Sequence, residues 1–234
     1  MNENKNISRK LINILVIFVL APLTLFLSWK VGAKKYYLTS VLLIIYTMIP
    51  FFLSFEKRKP QARELVVLAV MTAIAVASRA AFIMLPHFKP MTAIIIITAV
   101  SFGAEAGFLT GAMSAFISNF IFGQGPWTPW QMFAYGIAGF LSGLLFSKGI
   151  IKKDKIPLSI FGGIVVVFLV GPMLDISSVF TASSVFSFEI FAAAFVAGFP
   201  VNLVHTAATA ITLFLFSQPM FEKLDRIKLK YGMK

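Results

Sequence analysis

Residues 64–85 read ELVVLAVMTAIAVASRAAFIML. After Glu64 this run carries a single charge, Arg79, and Pro86 closes it. Apolar runs of about 17–25 residues are long enough to cross a bilayer. A backbone in lipid must satisfy its own hydrogen bonds, so the run reads as a helix. Similar runs lie at 11–29, 38–55, 91–102, 104–122, 130–147, 157–172 and 190–216. The run at 91–102 is short and crosses only if its flanks extend it. The alternation expected of a membrane β-barrel is not seen. The expected fold is therefore an all-α, polytopic transmembrane helix bundle of about eight spans.

Composition agrees with this. The chain is 59% hydrophobic and 13% charged, against about 25% charged in an ordinary soluble domain. The net charge of +12 does not point to nucleic acid, because the cations sit in short loops between spans. With the N-terminus inside, sixteen Lys and Arg fall on cytoplasmic segments and four (Lys30, Lys34, Lys35 and Lys89) outside, with Arg79 within a span. This asymmetry implies a multi-pass protein of the cell membrane with both termini cytoplasmic. Residues 1–10 are basic and 11–29 apolar, which fits a signal anchor as well as a signal peptide. The run is long, and no small-residue cleavage site is evident. The chain divides into an N-terminal helix pair with a basic loop (1–63), a six-helix membrane domain (64–216) and a basic cytoplasmic tail (217–234).

This orientation places the loops at 86–90, 123–129 and 173–189 outside, where Asp175 and Glu189 are expected as loop residues. Four constellations stand out. Ala69, Ala73, Ala77 and Ala81 recur every four residues, a spacing that lets another helix approach closely, whether within the bundle or from a partner. Arg79 lies about 200° from Ala77 around the helix and so leaves that face. A cation within a span marks function unless it snorkels to the surface. The loop GQGPWTPWQ, Gly123 to Gln131, carries Gln124, Trp127, Trp130 and Gln131 on a frame set by Pro126 and Pro129. Its tryptophans suit either an interfacial belt or a clamp on a flat organic ligand. Asn202, His205, Thr206 and Thr209 share one helix face, and with Asn119 they read as a wall of a polar cavity or as interhelical hydrogen bonding. His87 stands in the first outer loop. Gly107, Gly111 and Ala115 read as tight packing, and Glu105 as a favourable anion at a helix N-terminus.

Absences narrow the function. Without cysteine, disulfides, thiol catalysis and Cys-based metal sites are excluded. There is no P-loop, HExxH or GxSxG, so neither catalytic residues nor a metal or cofactor is expected. No acid pair lies within a span, and no repeat relates two halves.

The stretch from 64 to 216 resembles the substrate-binding S component of an energy-coupling factor (ECF) transporter. The resemblance rests on the alanine repeat, the short fourth span, GPWTPWQ and Asn202, and is closest to the cobalamin- and cobamide-related members. It implies capture of a vitamin or related micronutrient outside, then association with a membrane T component driven by two cytoplasmic ATPases. Substrate contacts would come from Arg79, His87, Asn119, Gln124, Trp127, Trp130, Gln131, Asn202 and His205, and the T component would meet the alanines. Residues 1–63 depart from the six-helix pattern. The competing readings are an autonomous secondary transporter and a membrane enzyme acting on a lipid.

Overall fold

The computed structural model describes residues 11–12, 14–31, 42–43, 45–46, 49–50, 53, 62–182 and 187–233. Among them every regular element is a helix. We label these α1 (Val16–Leu20, a π turn, running into Ala21–Val31), α2 (Ala62–Ala81), α3 (Met91–Phe102), α4 (Ala104–Phe122) and α5 (Thr128–Ser147). Then come α6 (Lys155–Val165, the π turn Val166–Val170, and Gly171–Ala182) and α7 (Phe188–Tyr231). Most of the second expected span, 38–55, lies outside the described residues, as do Lys5, Arg9, Lys10, Lys34, Lys35, Lys57, Arg58, Lys59, Pro60 and Lys234.

Among the described residues, three helices are long and apolar enough to cross a membrane: Ala62–Ala81, Lys155–Thr181 and Phe188–Tyr231. The short span is α3, whose 12 residues rise only about 18 Å, less than a hydrocarbon core of about 30 Å. It is apolar around its whole circumference, and Met91, Ala93, Ile95, Ile96, Ile97 and Ala99 are all fully buried. A helix hydrophobic all round belongs at the centre of a bundle. Gly103 ends it at φ 98°, a conformation open to glycine at little cost. The α4–α5 pair is drawn together by absent side chains. A methyl group at Gly111 would collide with the Tyr135 carbonyl, and one at Gly139 with the Gly107 carbonyl. Ring contact between Phe18 and Phe140, 6.2 Å apart, seats α1 against α5.

The two ends of the bundle differ. At one end the α5–α6 connection meets α7: Lys153 Nζ lies 3.4 Å from Asp225 Oδ2, and Lys228 donates to the Ser101 carbonyl at the end of α3. At the other end the 123–127 loop, the end of α6 and the start of α7 meet. Trp130 stacks on Phe180 at 5.2 Å, and Phe180 meets Phe191 edge-on at 5.8 Å.

Helix limits depart from expectation in four places, each involving proline. Helix α2 stops at Ala81, four residues early, and gives way to i→i+3 turns (Ile83 N–H to Ala80 O, Leu85 N–H to Phe82 O). Pro86 disfavours helix in the residue before it. Helix α5 starts at Thr128, with Pro129 in its first turn, where the missing N–H has no helical partner to lose. The third departure corrects the expectation for Asp175 and Glu189. They are not loop residues: Asp175 lies on Gly171–Ala182 and Glu189 in the first turn of α7. The span was expected to end at residue 172. A π turn precedes it instead, with Gly171 N–H bonding Val166 O, and the helix runs on. The same device precedes Pro22, where Ala21 N–H bonds Val16 O. The wider turn accommodates a proline ring that would clash with the carbonyl four residues back. Helix α7 also continues through Pro200 and Pro219 to Tyr231, past residue 216 where the span was expected to end.

Candidate functional site

Helix α2 turns Ala69, Ala73, Ala77 and Ala81 outward and Arg79 inward. Arg79 is 7% exposed and does not snorkel. Its Nη1 donates to Ser118 Oγ at 2.5 Å and to Asn119 Oδ1 at 2.9 Å, both on α4. The guanidinium lies over the Phe122 ring at 4.3 Å, and Lys89 Nζ lies 5.4 Å from the same ring centroid. Both distances fall in the range of cation–π attraction. The cation also occupies the last turn of its helix, where the macrodipole favours it.

Asn119 organises the neighbourhood. Its Nδ2 donates to Thr128 Oγ1 at 3.1 Å and Gln131 Oε1 at 2.9 Å, so its oxygen must face Arg79. Thr128 in turn donates to Gln124 Oε1 at 2.9 Å and accepts from Gly125 N–H at 3.2 Å. Gln124 Nε2 donates to the Phe116 carbonyl at 3.0 Å. The Pro-framed loop thus fixes the orientation of Arg79 through one connected set of bonds. Sequence reasoning picked out Asn119, Gln124 and Gln131 but missed Ser118 and Thr128. A hydroxyl beside Asn119 and one between Pro126 and Pro129 were the available signals.

His205 on α7 is 5% exposed and lies 3.4 Å from Thr92 Oγ1 at the start of α3. Its ring meets Tyr135 edge-on at 6.1 Å and contacts the Lys89 backbone. His205, Lys89 and Arg79 are electrostatic neighbours. His87, exposed on the same loop, adopts φ 61°. Lys89 is half-buried, and its pKa is lowered by loss of solvent and then by the Arg79 charge.

Asn202 joins a different group. It donates to Asp175 Oδ2 at 2.8 Å, and both side chains occupy space left by glycines. A methyl group at Gly171 would sit 2.5 Å from Asn202 Cγ, and one at Gly198 would overlap the Asp175 carboxylate. Asn119 and Asn202 are therefore engaged in separate clusters. The tryptophans also diverge: Trp127, 41% exposed, folds over Gly125, while Trp130 faces α6.

On the outside of the bundle, Ala69, Ala73 and Ala77 line an apolar groove of about 580 Å³ with Leu109, Met113, Ile117 and Ile121 of α4. Among the described residues no cluster of three or more His, Cys, Asp or Glu could hold a metal ion.

The architecture is that of an all-α membrane helix bundle, with a buried cation held at one end and a small-residue face on the outside. Residues 59–221 match the family of ECF-type riboflavin transporter S components, and the chain belongs to that family. It is a family of transporter components, not of enzymes. A UPF0397 protein of Vibrio atlanticus (strain LGP32) is 29% identical over 92 residues, 38% of this chain and 50% of that protein. The chain thus matches about half the length of that curated relative. No solved structure matches it.

Proposed function

We propose that this chain is the substrate-binding component of an ECF-type transporter, capturing a flat vitamin of the flavin class outside the cell. The observation that carries the reading is that the family match covers α2 to α5 and most of α7, which hold the Arg79 cluster. The riboflavin in the family's name is the source of the flavin assignment. A cobalamin-type ligand, implied by the sequence resemblance, gains no support from these comparisons. In this reading Arg79, Lys89 and His205 face the ligand, with His87 at the mouth. Asn119, Gln124 and Gln131 hold Arg79 in place, and Trp127 and Trp130 border the entrance. Asn202 braces α6 against α7 through Asp175. Both termini lie in the cytoplasm.

Energy would come from partners, a membrane T component and two cytoplasmic ATPases, since the chain carries no P-loop. The apolar groove along Ala69, Ala73 and Ala77 is the docking surface for a T-component helix, because small side chains allow close backbone approach. The test is direct. The fluorescence of riboflavin should be quenched when the purified protein binds it, and cellular uptake should require the T component and ATPases. Uptake undiminished in cells lacking them would establish an autonomous carrier instead.

A further inference from the structure

Resting on the reading of Arg79 as a ligand-facing residue, we infer that this end of the bundle is an oxyanion receptor. The Nε/Nη2 edge of Arg79, with Lys89, takes a carboxylate or phosphate carried by the ligand.

The inference starts from which guanidinium atoms are engaged. Both hydrogen bonds from Arg79 leave Nη1. Nε is buried and has no hydrogen-bond partner, and among the described residues both side-chain hydrogen bonds of Arg79 leave Nη2 unused. Nε–H and the adjacent Nη2–H point the same way and form the side fork of arginine. That fork matches two oxygens of a carboxylate or phosphate. The protein spends the end of the guanidinium on Ser118 and Asn119 and leaves its bidentate edge.

Charge completes the argument. A second cation, Lys89, shares the Phe122 ring with Arg79 at 5.4 and 4.3 Å from the centroid. The two charges are therefore within about 10 Å of each other in a poorly solvated place. Neither pairs with a described carboxylate. Burying a guanidinium without a counter-charge is costly, and two like charges side by side add to the cost. Two cations that lack a counter-charge in such a place favour a negative ligand. The neutral bonds from Ser118 and Asn119 orient Arg79 without cancelling its charge. Phe122 supplies an apolar surface beside the anion subsite.

The experiment uses the full chain purified in neutral detergent, with Arg79→Lys (charge kept, fork lost) and Lys89→Met, a site outside the spans. Inorganic phosphate should raise the melting temperature of the wild type, and both variants should lose most of that shift. Riboflavin 5′-phosphate should bind about tenfold or more tightly than riboflavin, the scale of a charged hydrogen bond, and Lys89→Met should largely erase the difference. If riboflavin binds as tightly as its phosphate and neither variant changes the phosphate shift, the receptor is overturned while the flavin reading stands. If neither flavin binds but the phosphate shift persists and depends on both residues, the receptor is upheld and the flavin reading falls. Repeating the melt in phosphatidylglycerol and phosphatidylcholine nanodiscs separates a ligand oxyanion from a lipid headgroup. Loss of the phosphate effect in phosphatidylglycerol alone would assign the fork to lipid and overturn the proposal.

Discussion

Replacing Asn119 separates geometry from charge in the Arg79 cluster. Its side chain accepts one bond from a cation, at 2.9 Å, and donates two to neutral oxygens, at 3.1 and 2.9 Å. A charged hydrogen bond contributes about 1.5–3 kcal/mol and a neutral one about 1 kcal/mol. Asn119→Ala should therefore destabilise the fold by about 3–5 kcal/mol. Asn119→Asp should behave differently. A carboxylate there pairs directly with Arg79, and Gln131 can turn its amide to donate. Thr128 must choose between this new acceptor and Gln124, at a loss of about 1 kcal/mol. The aspartate variant should stay within about 1.5 kcal/mol of wild type. It should also lose about tenfold in affinity for riboflavin 5′-phosphate, since an internal carboxylate competes for the same cation. Unfolding in mixed micelles and binding titrations on the same preparations measure both quantities. An aspartate variant as unstable as the alanine variant would refute the idea that Arg79 lacks a counter-charge.

Other outcomes follow from the same geometry. Ala73→Trp and Ala77→Trp should leave ligand binding by the isolated protein intact while abolishing co-purification of the T component; wild-type recovery of the complex would count against the docking face. Gly139→Val would drive a branched side chain into the Gly107 carbonyl and should cost at least about 1–3 kcal/mol, read as a lower melting temperature. Because burial and Arg79 lower the Lys89 pKa, two effects should follow as pH rises toward the ordinary lysine value. Riboflavin 5′-phosphate binding should weaken. Fold stability should increase, because the unfolded chain there holds the proton that folded Lys89 has lost. Arg79 stays charged throughout, so Lys89→Met should flatten both profiles over that range. Phe180→Ala should alter Trp130 emission, while Trp127→Phe should leave the Trp130 contribution unchanged.

The helical membrane class was legible because apolar run length and the uneven spread of cations are properties of the chain itself. The separation of Arg79 from the alanine face was legible too, since helical phase fixes it. What Arg79 meets was not, because Ser118 lies 39 residues away and only tertiary packing brings it near. The Pro-framed loop was recognised as ordered, but its role in orienting an arginine depends on Thr128 pointing inward. Asp175 was misplaced for a local reason: Gly171-Pro172 carries the same signal whether it ends a helix or follows a π turn. Sequence also marked Asn202 without its partner, because the fit of Asp175 depends on Gly198, 23 positions downstream.

The π turn in α6 has a consequence for how this helix is phased. A π turn holds one more residue than an α turn, so everything beyond it is rotated by about 100° from where uninterrupted α geometry would set it. Asp175 meets Asn202 because of that offset. Closing that turn to regular α geometry at unchanged length, with Pro172→Ala to relieve the ring, would swing Asp175 and Phe180 away from α7 and Trp130, whereas deleting one residue from Val166–Val170 would close the turn and leave both in place. The turn therefore sets the rotation of Gly171–Ala182 independently of Lys155–Val165, which stays in register.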